Sequence, residues 1–471
     1  MKTKLKKFTE FSKTILPNEA KYLQGQYQFV DEEKLQIIQL VIANALSQST
    51  RKDFDDAIDK RKYSYIKDWI ERKLLSIDVD ATIGWIMSLN QKILTDAISS
   101  NEEKQFLNYI SGYKAVDFNF QNLYELAKEY KSFLLVRMRY KDHQVVADFI
   151  KEFNPSYSKA ITIKEKLYTA TTEITNQYTL NNNETKHLEA WLLEVFNDDF
   201  ISGKNRYQAF VLLAFMYTNY NENDKLKVLF DQIDFYFSQG KMYSRRLLSN
   251  YYASRVLLHS KQDELKEAEY YGYLSIRQNN NDTLMYLNNL VAILLRNNKP
   301  DKAYLLLEKH KDLYKETHNY HQKIGYCSYQ IRVLSELHKN ELAEATAKTF
   351  LRKYKNEVLK HRWHHFFTSY IGTLIAQEKY EDVLKLSTKF GLTEKEEERQ
   401  KQKNYVPNIS WSISLSRYME GKINSTRLLD EIKSPLIDIK PTTNQKQLMI
   451  KVIDRLSKNL PEAFLKLKSH I

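Results

Sequence analysis

Histidines are the residues best suited to chemistry in this chain, and eight of the eleven lie between residues 259 and 365. His318 and His321 are three residues apart, a second group occupies positions 361–365, and Cys327 is close to the first pair in the sequence. A metal site needs three or four converging ligands that neighbouring groups hold in place. Nothing in this spacing brings such ligands together. We therefore expect these histidines to lie at the surface or to form hydrogen bonds between helices.

Two segments place a histidine a few residues after an arginine. They are "RVLSELH", from Arg332 to His338, and "RMRYKDH", residues 137–143. This spacing resembles the motif of the all-helical HEPN ribonucleases, in which arginine and histidine act on the scissile phosphate. With 72 basic residues and 11 histidines, such pairs are also expected by chance. A helical ribonuclease is therefore only a distant alternative for the function.

Phosphate-binding loops and common hydrolase motifs are absent from the sequence. Walker A and dinucleotide-binding fingerprints need glycines a few residues apart, so that backbone N–H groups can approach phosphate. The two closest glycines in this chain are Gly372 and Gly391. The G-x-S-x-G and H-E-x-x-H patterns do not occur either. The sequence implies no cofactor and favours a non-enzymatic protein.

The composition predicts an all-α protein. Only 10 of the 471 residues are glycine and 7 are proline, well below the average usage of roughly 7% and 5%. So few chain-breaking residues cannot supply the turns of a β-sandwich, a barrel or a doubly wound sheet. The single cysteine excludes an internal disulfide framework. We expect a cytoplasmic protein with no membrane partner, because the longest apolar run, 209–217, is about half of a membrane span.

The formal net charge of +13 has two explanations. A basic protein often binds nucleic acid or an acidic partner. Abundant Asn, Lys, Ile and Tyr are also what an AT-rich genome would encode. Both causes stay open at this point.

Helical periodicity begins near the N-terminus. Apolar residues recur at intervals of three and four from residue 31, after an acidic cap. We expect Pro155 to close the last of these helices, since proline cannot continue a helix, and we place a domain boundary within 180–203. The predicted helices are 31–48, 63–76, 81–99, 102–113 and a longer run from Phe120 to about Phe153, and 156–180 could also be helical.

From residue 205 onward the sequence predicts pairs of helices joined by short breaks. Tight connections make successive helices antiparallel neighbours, and stacked pairs bury a continuous core. The predicted pairs occupy 206–237, 245–277, 288–310, 324–354 and 361–390.

These pairs repeat. Breaks aligned at Ser260, Asn298, Asn340 and Glu378 are 38, 42 and 38 residues apart, and such periods are typical of solenoids. In this alignment Leu265, Ala303, Ala345 and Val383 follow each break by five residues, whereas Ala268 falls out of register. The segments "LNNLVAILLRNNKPDKAYLLLEKH" and "YIGTLIAQEKYEDVLKL" resemble the tetratricopeptide repeat family, with an apolar first helix, a turn and a small residue early in the second helix. The resemblance covers roughly 205–425, although the units are longer than that family's. It implies an α-solenoid of antiparallel helix pairs.

The resemblance also implies a binding groove, because the first helices of that family line the concave surface that holds peptides. A ladder of uncharged polar side chains there could bind the backbone of an extended ligand. In the same alignment Arg332 falls in an apolar position, which we attribute to an error in the register. The predicted ladder consists of Asn250, Asn288, Gln330 and Thr368.

Positive charge and aromatic residues are concentrated in the repeats. Residues 241–370 hold 22 Lys and Arg against 13 Asp and Glu, together with 14 of the 33 tyrosines. Cations interleaved with aromatics suit phosphates and bases, and a basic groove also suits an acidic protein segment. The predicted basic and aromatic binding residues are Arg245, Arg246, Tyr251 and Arg296.

The sequence therefore predicts three parts: an N-terminal helical domain (1–200), a repeat array (201–395) and a C-terminal helical cap (396–471). The expected function is a scaffold that binds an extended or acidic protein partner in a basic groove. The first alternative is binding of single-stranded RNA or DNA.

Overall fold

The computed structural model describes residues 5–47, 51–180, 184–401, 405–437, 441 and 443–468. These residues form helices and connecting turns, with no β-strand among them. The protein is therefore all-α, as its scarcity of glycine and proline predicts. Among the described helices, none has the length and hydrophobicity needed to span a lipid bilayer.

The chain divides into two compact units, residues 1–258 and 259–471. The division falls near the end of one helix, Arg245–Lys261. The domain boundaries expected near residues 200 and 395 stay predictions.

The first unit contains short helices, one very long helix and the beginning of the helix pairs. Its helices are α1 Lys6–Thr14, α2 Pro17–Gln24, α3 Glu32–Leu46, α4 Lys60–Leu75, α5 Val79–Leu94, α6 Ser100–Ser111, α7 Phe120–Val136, α8 Tyr140–Leu180, α9 Glu189–Asn197, α10 Gly203–Tyr220, α11 Asn223–Ser238 and α12 Arg245–Lys261, with a 3₁₀ turn at Lys186–Leu188 before α9.

Polar side chains begin several of these helices where the sequence predicts them. The Asp31 carboxylate accepts a hydrogen bond from the Lys34 backbone N–H at the start of α3. Ser99 and Glu102 form a reciprocal capping box at the start of α6. Such caps satisfy N–H groups that have no partner within the helix.

The segment 120–180 differs from the prediction in two ways. The expected single helix breaks after Val136, where Met138 adopts a left-handed conformation with φ of 54°. Pro155, expected to end the helix, lies inside α8. An internal proline costs about 3 kcal/mol because it removes one backbone hydrogen bond and crowds the preceding turn. Packing offsets this cost, since Phe153 and Ala160 are buried on either side of Pro155.

The second unit consists of helix pairs followed by two short helices. Its helices are α13 Leu265–Ser275, α14 Thr283–Arg296, α15 Pro300–Lys309, α16 Lys311–Glu316, α17 Tyr320–Glu336, α18 Asn340–Glu357, α19 Trp363–Ile375, α20 Tyr380–Phe390, α21 Leu392–Gln400, α22 Asn408–Met419, α23 Ser425–Ile437, α24 Thr443–Leu456 and α25 Pro461–Leu467, with a π-helical turn at Val358–Arg362 before α19.

One turn geometry joins the two helices of each pair. A residue with positive φ ends the first helix, and the second helix begins two residues later. The N–H after the left-handed residue donates to the carbonyl five positions earlier, as Lys299 does to Leu294 and Lys379 to Leu374. This bond defines the Schellman motif, which usually places glycine at the left-handed position. Here the left-handed residues are Asn221, Asp263, Asn298, His338 and Glu378.

These turns correct the register of the repeats. Residues five positions after each left-handed residue are at most 1% exposed. Ala268 is therefore in register, whereas Leu265 is half-buried and Ala345 is exposed. Arg332 is exposed as well, so its apolar position in the earlier alignment was a register error. The buried positions are Leu226, Ala268, Ala303, Ala343 and Val383.

Successive first helices of the second unit contact one another in chain order: α14 contacts α17, α17 contacts α19, and α19 contacts α22. Each also contacts the second helix of its own pair. The C-terminal α24 contacts α22 and α25, and its Met449 and Ile453 are fully buried in the same core as Trp411. Residues from four elements (α17, α19, α22 and α24) are thus held against one another.

Candidate anion-binding site

The predicted polar ladder is only partly aligned in the structure. With the left-handed residues superimposed, Asn288 and Thr368 occupy equivalent positions, ten residues before their turns. The corresponding positions in the neighbouring pairs are Ala253 and Ser328. Asn250 and Gln330, the other two predicted ladder residues, lie outside this register. Their turns lie three residues after and two residues before the expected breaks, at Asp263 and His338. Their role in binding stays a prediction.

The two aligned ladder residues, Asn288 and Thr368, each have a buried polar atom without a hydrogen-bond partner in the described chain. Asn288 is 4% exposed, and its Nδ2 donates to the Gln322 carbonyl oxygen at 3.1 Å. Its Oδ1 has no partner within the described chain, and neither has the shielded hydroxyl of Thr368. Asn250 differs, since its Oδ1 accepts from the Tyr207 hydroxyl at 3.1 Å. Unpaired buried polar atoms are costly, so Asn288 and Thr368 call for an explanation.

Two of the predicted basic residues, Arg245 and Arg246, form ion pairs within the first unit. Arg245 Nε donates to Glu19 Oε1 at 2.8 Å. Arg246 pairs with Asp80 through two hydrogen bonds of 3.0 and 2.7 Å. Both side chains are thus already paired with carboxylates of the same chain.

The other two predicted residues are engaged as well. Arg296 donates to Ser260 and to Asp263 Oδ1, the latter at 2.9 Å. Tyr251, predicted to face a ligand, is completely buried and accepts from Arg255 Nε at 2.8 Å. A buried ring cannot stack on a base without local unfolding.

A different set of cations is distributed along α17 and α19 in the second unit: Arg332 on α17, Arg362 before α19, and Arg455, which reaches Gly372 from α24. We call these three residues the arginine cluster. None of the three has an ion pair with a carboxylate among the described residues. Arg362 Nη1 donates to the His321 carbonyl oxygen at 3.2 Å, and Arg455 Nη2 donates to Asn408 Oδ1 at 2.6 Å.

The cluster is positioned by two rows of side chains on the adjacent helices α17 and α19. Residues three or four apart share one face of a helix. One row runs along α17 through Gly325, Tyr329, Arg332 and Glu336, and the other begins at Arg362 and continues along α19 through His365, Thr368 and Gly372.

Two contacts join these rows. A Cβ added at Gly325 would lie 2.8 Å from Arg362 Nη1. The Tyr329 and His365 rings meet edge to face with centroids 4.9 Å apart. These contacts join residues 37 and 36 positions apart in the sequence. The same offset places Arg332 beside Thr368.

Glycine also brings the third arginine to this surface. A Cβ added at Gly372 would lie 3.1 Å from Arg455 Nη1. Glu336, on the other row, faces the same region, since its charge acts on Arg455. The C-terminal helix therefore contributes directly to the cluster.

Burial and neighbouring positive charges lower the pKa values of several groups around the cluster. Burial, and then the charge of Arg332, lowers the pKa of Arg455 to about 10. Burial, followed by the charges of Arg362 and Arg332, lowers the pKa of His365 to about 3. Burial also lowers the pKa of Lys451, on the same helix as Arg455, with a smaller contribution from Arg296. His365 is therefore neutral at physiological pH, whereas Arg455 stays charged.

Several polar atoms beside the cluster lack a partner in the described part of the chain. They are Arg455 Nε, His365 Nε2 and the Thr368 hydroxyl. Two of these are donors, and the neutral histidine donates or accepts according to its tautomer.

Sequence analysis identified only part of this site. Thr368 and Arg332 were singled out, the latter for its spacing from His338. His338 is exposed and occupies the left-handed position of a turn, with φ of 59°. Arg362 and Arg455 were missed, because they are distant in the sequence and only the tertiary structure brings Arg455 beside Gly372 on α19. The cluster "HRWHH" around Arg362 was the available signal.

The histidines do not form a metal centre in the described part of the chain, where no group of three or more potential ligands converges. Cys327 is buried in the core. Comparisons of the chain with family models, curated proteins and solved structures find no match.

Proposed function

We propose that this protein is a non-enzymatic binding protein whose second unit is a tetratricopeptide-like array. In this proposal the array holds an acidic segment of a partner protein at the arginine cluster. The observation that carries the proposal is the cluster itself: three guanidinium groups from separate elements, without a carboxylate ion pair among the described residues, beside buried polar atoms that lack partners.

Like charges held together are unfavourable unless a counter-charge is supplied. The first unit shows the usual solution, since Arg245 and Arg246 are paired with carboxylates of the same chain. The arginines of the cluster in the second unit have no such ion pair among the described residues. An acidic partner would supply the missing charge.

The aromatic residues favour a protein segment over nucleic acid. The two tyrosines that follow Arg245 and Arg246 in the sequence, Tyr251 and Tyr252, are buried. Single-stranded nucleic acid binding usually adds exposed rings on which bases stack.

Fluorescence anisotropy with two labelled probes, an oligoglutamate peptide and an oligouridylate, tests the proposal. We expect the peptide to bind, and the variant Arg332→Gln/Arg362→Gln/Arg455→Gln to weaken that binding at least about tenfold, because charged contacts are removed from a partly desolvated site. The control is Arg352→Gln, which removes an exposed arginine on α18.

Three results would contradict the proposal. One is equal binding of the peptide by the triple variant and the wild-type protein. Another is no peptide binding in low salt. The third is tighter binding of the oligouridylate with a steep dependence on salt, which would favour the nucleic acid alternative.

A further inference from the structure

Two histidines from different parts of the sequence meet beside Arg362. His321 is exposed in the first turn of α17, and His361 is half-buried in the π-helical turn before α19. Their ring centroids are 5.1 Å apart. Arg362 Nη1 donates to the carbonyl oxygen of His321 at 3.2 Å. The two imidazole rings therefore adjoin one guanidinium group of the arginine cluster, and both have surface that solvent can reach.

The surroundings of this histidine pair supply no negative charge. Neither His321 nor His361 forms an ion pair with a carboxylate among the described residues. Burial, and then the charges of His361 and Arg362, lowers the pKa of His321. In the free protein, protonation of either ring thus adds a positive charge beside Arg362 without an offsetting carboxylate. The other titratable groups nearby are Tyr320 and Lys323 on α17, Tyr354 on α18 and Lys360 in the turn.

We propose that an acidic segment bound at Arg362 is also held by His321 and His361, and that its binding takes up protons. This inference rests on the function proposed above and adds two binding residues and a form of regulation to that site. A carboxylate at Arg362 would supply the negative charge that the pair lacks. An imidazolium ring donates from both nitrogens, and hydrogen bonds between charged groups are the stronger ones. Protonation is therefore more favourable in the complex than in the free protein.

The direction of the pH dependence follows from this linkage. A histidine that is protonated more readily in the complex strengthens binding as the pH falls. Because the pKa of His321 is lowered in the free protein, this side chain is mostly neutral at pH 7 and above. The acidic side chains of a partner stay ionised at pH 6, since their unperturbed pKa values are about 3.9 and 4.3. Affinity should thus rise from pH 8 to pH 6 while the partner's charge stays constant.

The neighbouring histidines of α19 do not titrate in this range. His364 Nε2 faces Glu396 Oε1 at 3.4 Å, and the His365 ring packs against Tyr329. Burial lowers the pKa of each of these two histidines to about 3. Both rings are therefore neutral from pH 6 to pH 8. A change in affinity over this range at the Arg362 end of the cluster is assigned to His321 and His361.

Titration calorimetry of the full chain with an oligoglutamate peptide tests the inference at pH 6, 7 and 8 and constant ionic strength. We expect the affinity at pH 6 to be at least about threefold higher than at pH 8, because the complex binds protons that the free protein does not. Repeating the titration at pH 6.5 in two buffers of different ionisation enthalpy measures the protons directly. Net uptake by the complex is expected.

Matched variants identify the titrating groups. In His321→Gln/His361→Gln, which cannot take up these protons, the affinities at pH 6 and pH 8 should agree within about twofold. The control is His318→Gln, which removes an exposed histidine three residues before His321 and should keep the rise at pH 6. Circular dichroism at each pH confirms that the variants are folded.

The outcomes distinguish this inference from the proposed function. Peptide binding with equal affinity at pH 6 and pH 8 would overturn the inference and leave the acidic-partner proposal intact. A rise in affinity that the double variant retains would place the titrating groups elsewhere and would also overturn it. If the peptide binds at none of the three pH values, both proposals fail together.

Discussion

Arginines of the two units are neutralised in different ways. In the first unit, Arg245 reaches the fully buried carboxylate of Glu19, and Arg246 forms a two-pronged pair with Asp80. In the second unit, Arg332, Arg362 and Arg455 have no carboxylate ion pair among the described residues. Each of these five arginines adds one positive charge to the sum that gives the formal net charge of +13, whether or not it is paired. Net charge therefore says little about binding until the internal partners of each cation are known.

Buried carboxylates show the same contrast. Glu19 accepts hydrogen bonds from the Leu16 backbone N–H, the Tyr243 hydroxyl and Arg245. Glu396, which is 3% exposed, accepts one from the Tyr405 hydroxyl at 3.1 Å. His364 Nε2 lies 3.4 Å from its other oxygen, but both atoms lack a hydrogen bond in the described chain. Burial raises the pKa of Glu396 to about 7, and burial lowers the pKa of His364 to about 3.

The largest expected effect comes from breaking the compensated site of the first unit. Glu19→Ala should lower the free energy of unfolding by about 3–5 kcal/mol, because it leaves the partly buried Arg245 and two further donors without their acceptor. Urea denaturation followed by circular dichroism measures the change. Glu32→Ala, at an exposed position of α3, serves as the control. A loss below about 1 kcal/mol would mean that Glu19 contributes little to stability, and the contrast between paired and unpaired arginines would then have no energetic basis.

The second effect concerns Glu396 and depends on pH. Because its pKa is raised in the folded protein, Glu396 favours folding below its unfolded pKa of about 4.3, and this contribution is lost as the pH rises through 7. His364 on α19 acts in the opposite sense, since its lowered pKa supports folding above its unfolded pKa of about 6.5 and loses that support as the pH falls towards 3. Arg399 and Tyr405 also face the Glu396 carboxyl group, and the charge of Arg399 lowers the pKa of Glu396.

Glu396→Gln should therefore raise the free energy of unfolding at pH 8 by about 1–3 kcal/mol, with little change at pH 5. Thermal unfolding at both pH values measures this difference. The exposed neighbour Glu397→Gln is the matched control. A stabilisation of equal size at both pH values would show that the Glu396 carboxyl group does not titrate in this range.

A smaller effect is expected for the exposed pair of the first unit. A double-mutant cycle with Arg246→Ala and Asp80→Ala should give a coupling of about 1 kcal/mol or less, since both side chains are partly solvated. The two-pronged geometry favours the upper part of that range. A coupling above about 3 kcal/mol would show that this pair behaves as a buried one.

The smallest effect has the opposite sign. Arg332→Gln should raise the free energy of unfolding by about 0.5 kcal/mol in low salt, because it relieves repulsion within the arginine cluster, and the gain should shrink as salt screens the charges. Thermal unfolding at two ionic strengths measures it, and Arg352→Gln is the control. A destabilisation would indicate that Arg332 has a stabilising partner within the chain.

Much of the local structure could be predicted from the sequence, and the repeat register could not. Apolar residues at intervals of three and four identify the helix pairs, which the structure places at nearly the predicted positions. The turns were misplaced by up to three residues because none of the five left-handed residues that join these pairs is glycine. Asp263 and His338 show no local preference strong enough to mark a helix end. Pro155 was misleading because it is a strong local signal for a helix end. Packing of α8 outweighs the cost of this internal proline, and the helix continues.

The sequence by itself determined that this protein is all-α and that its second half is built from helix pairs. Both follow from short-range properties, namely the scarcity of glycine and proline and the helical spacing of apolar residues. Only the tertiary structure decided which arginines are paired and which are not. Arg245 meets Glu19 more than two hundred residues away in the sequence, and Arg455 approaches Gly372 from a C-terminal helix. Ion pairing depends on distances of a few ångströms, and no periodicity in the chain encodes them.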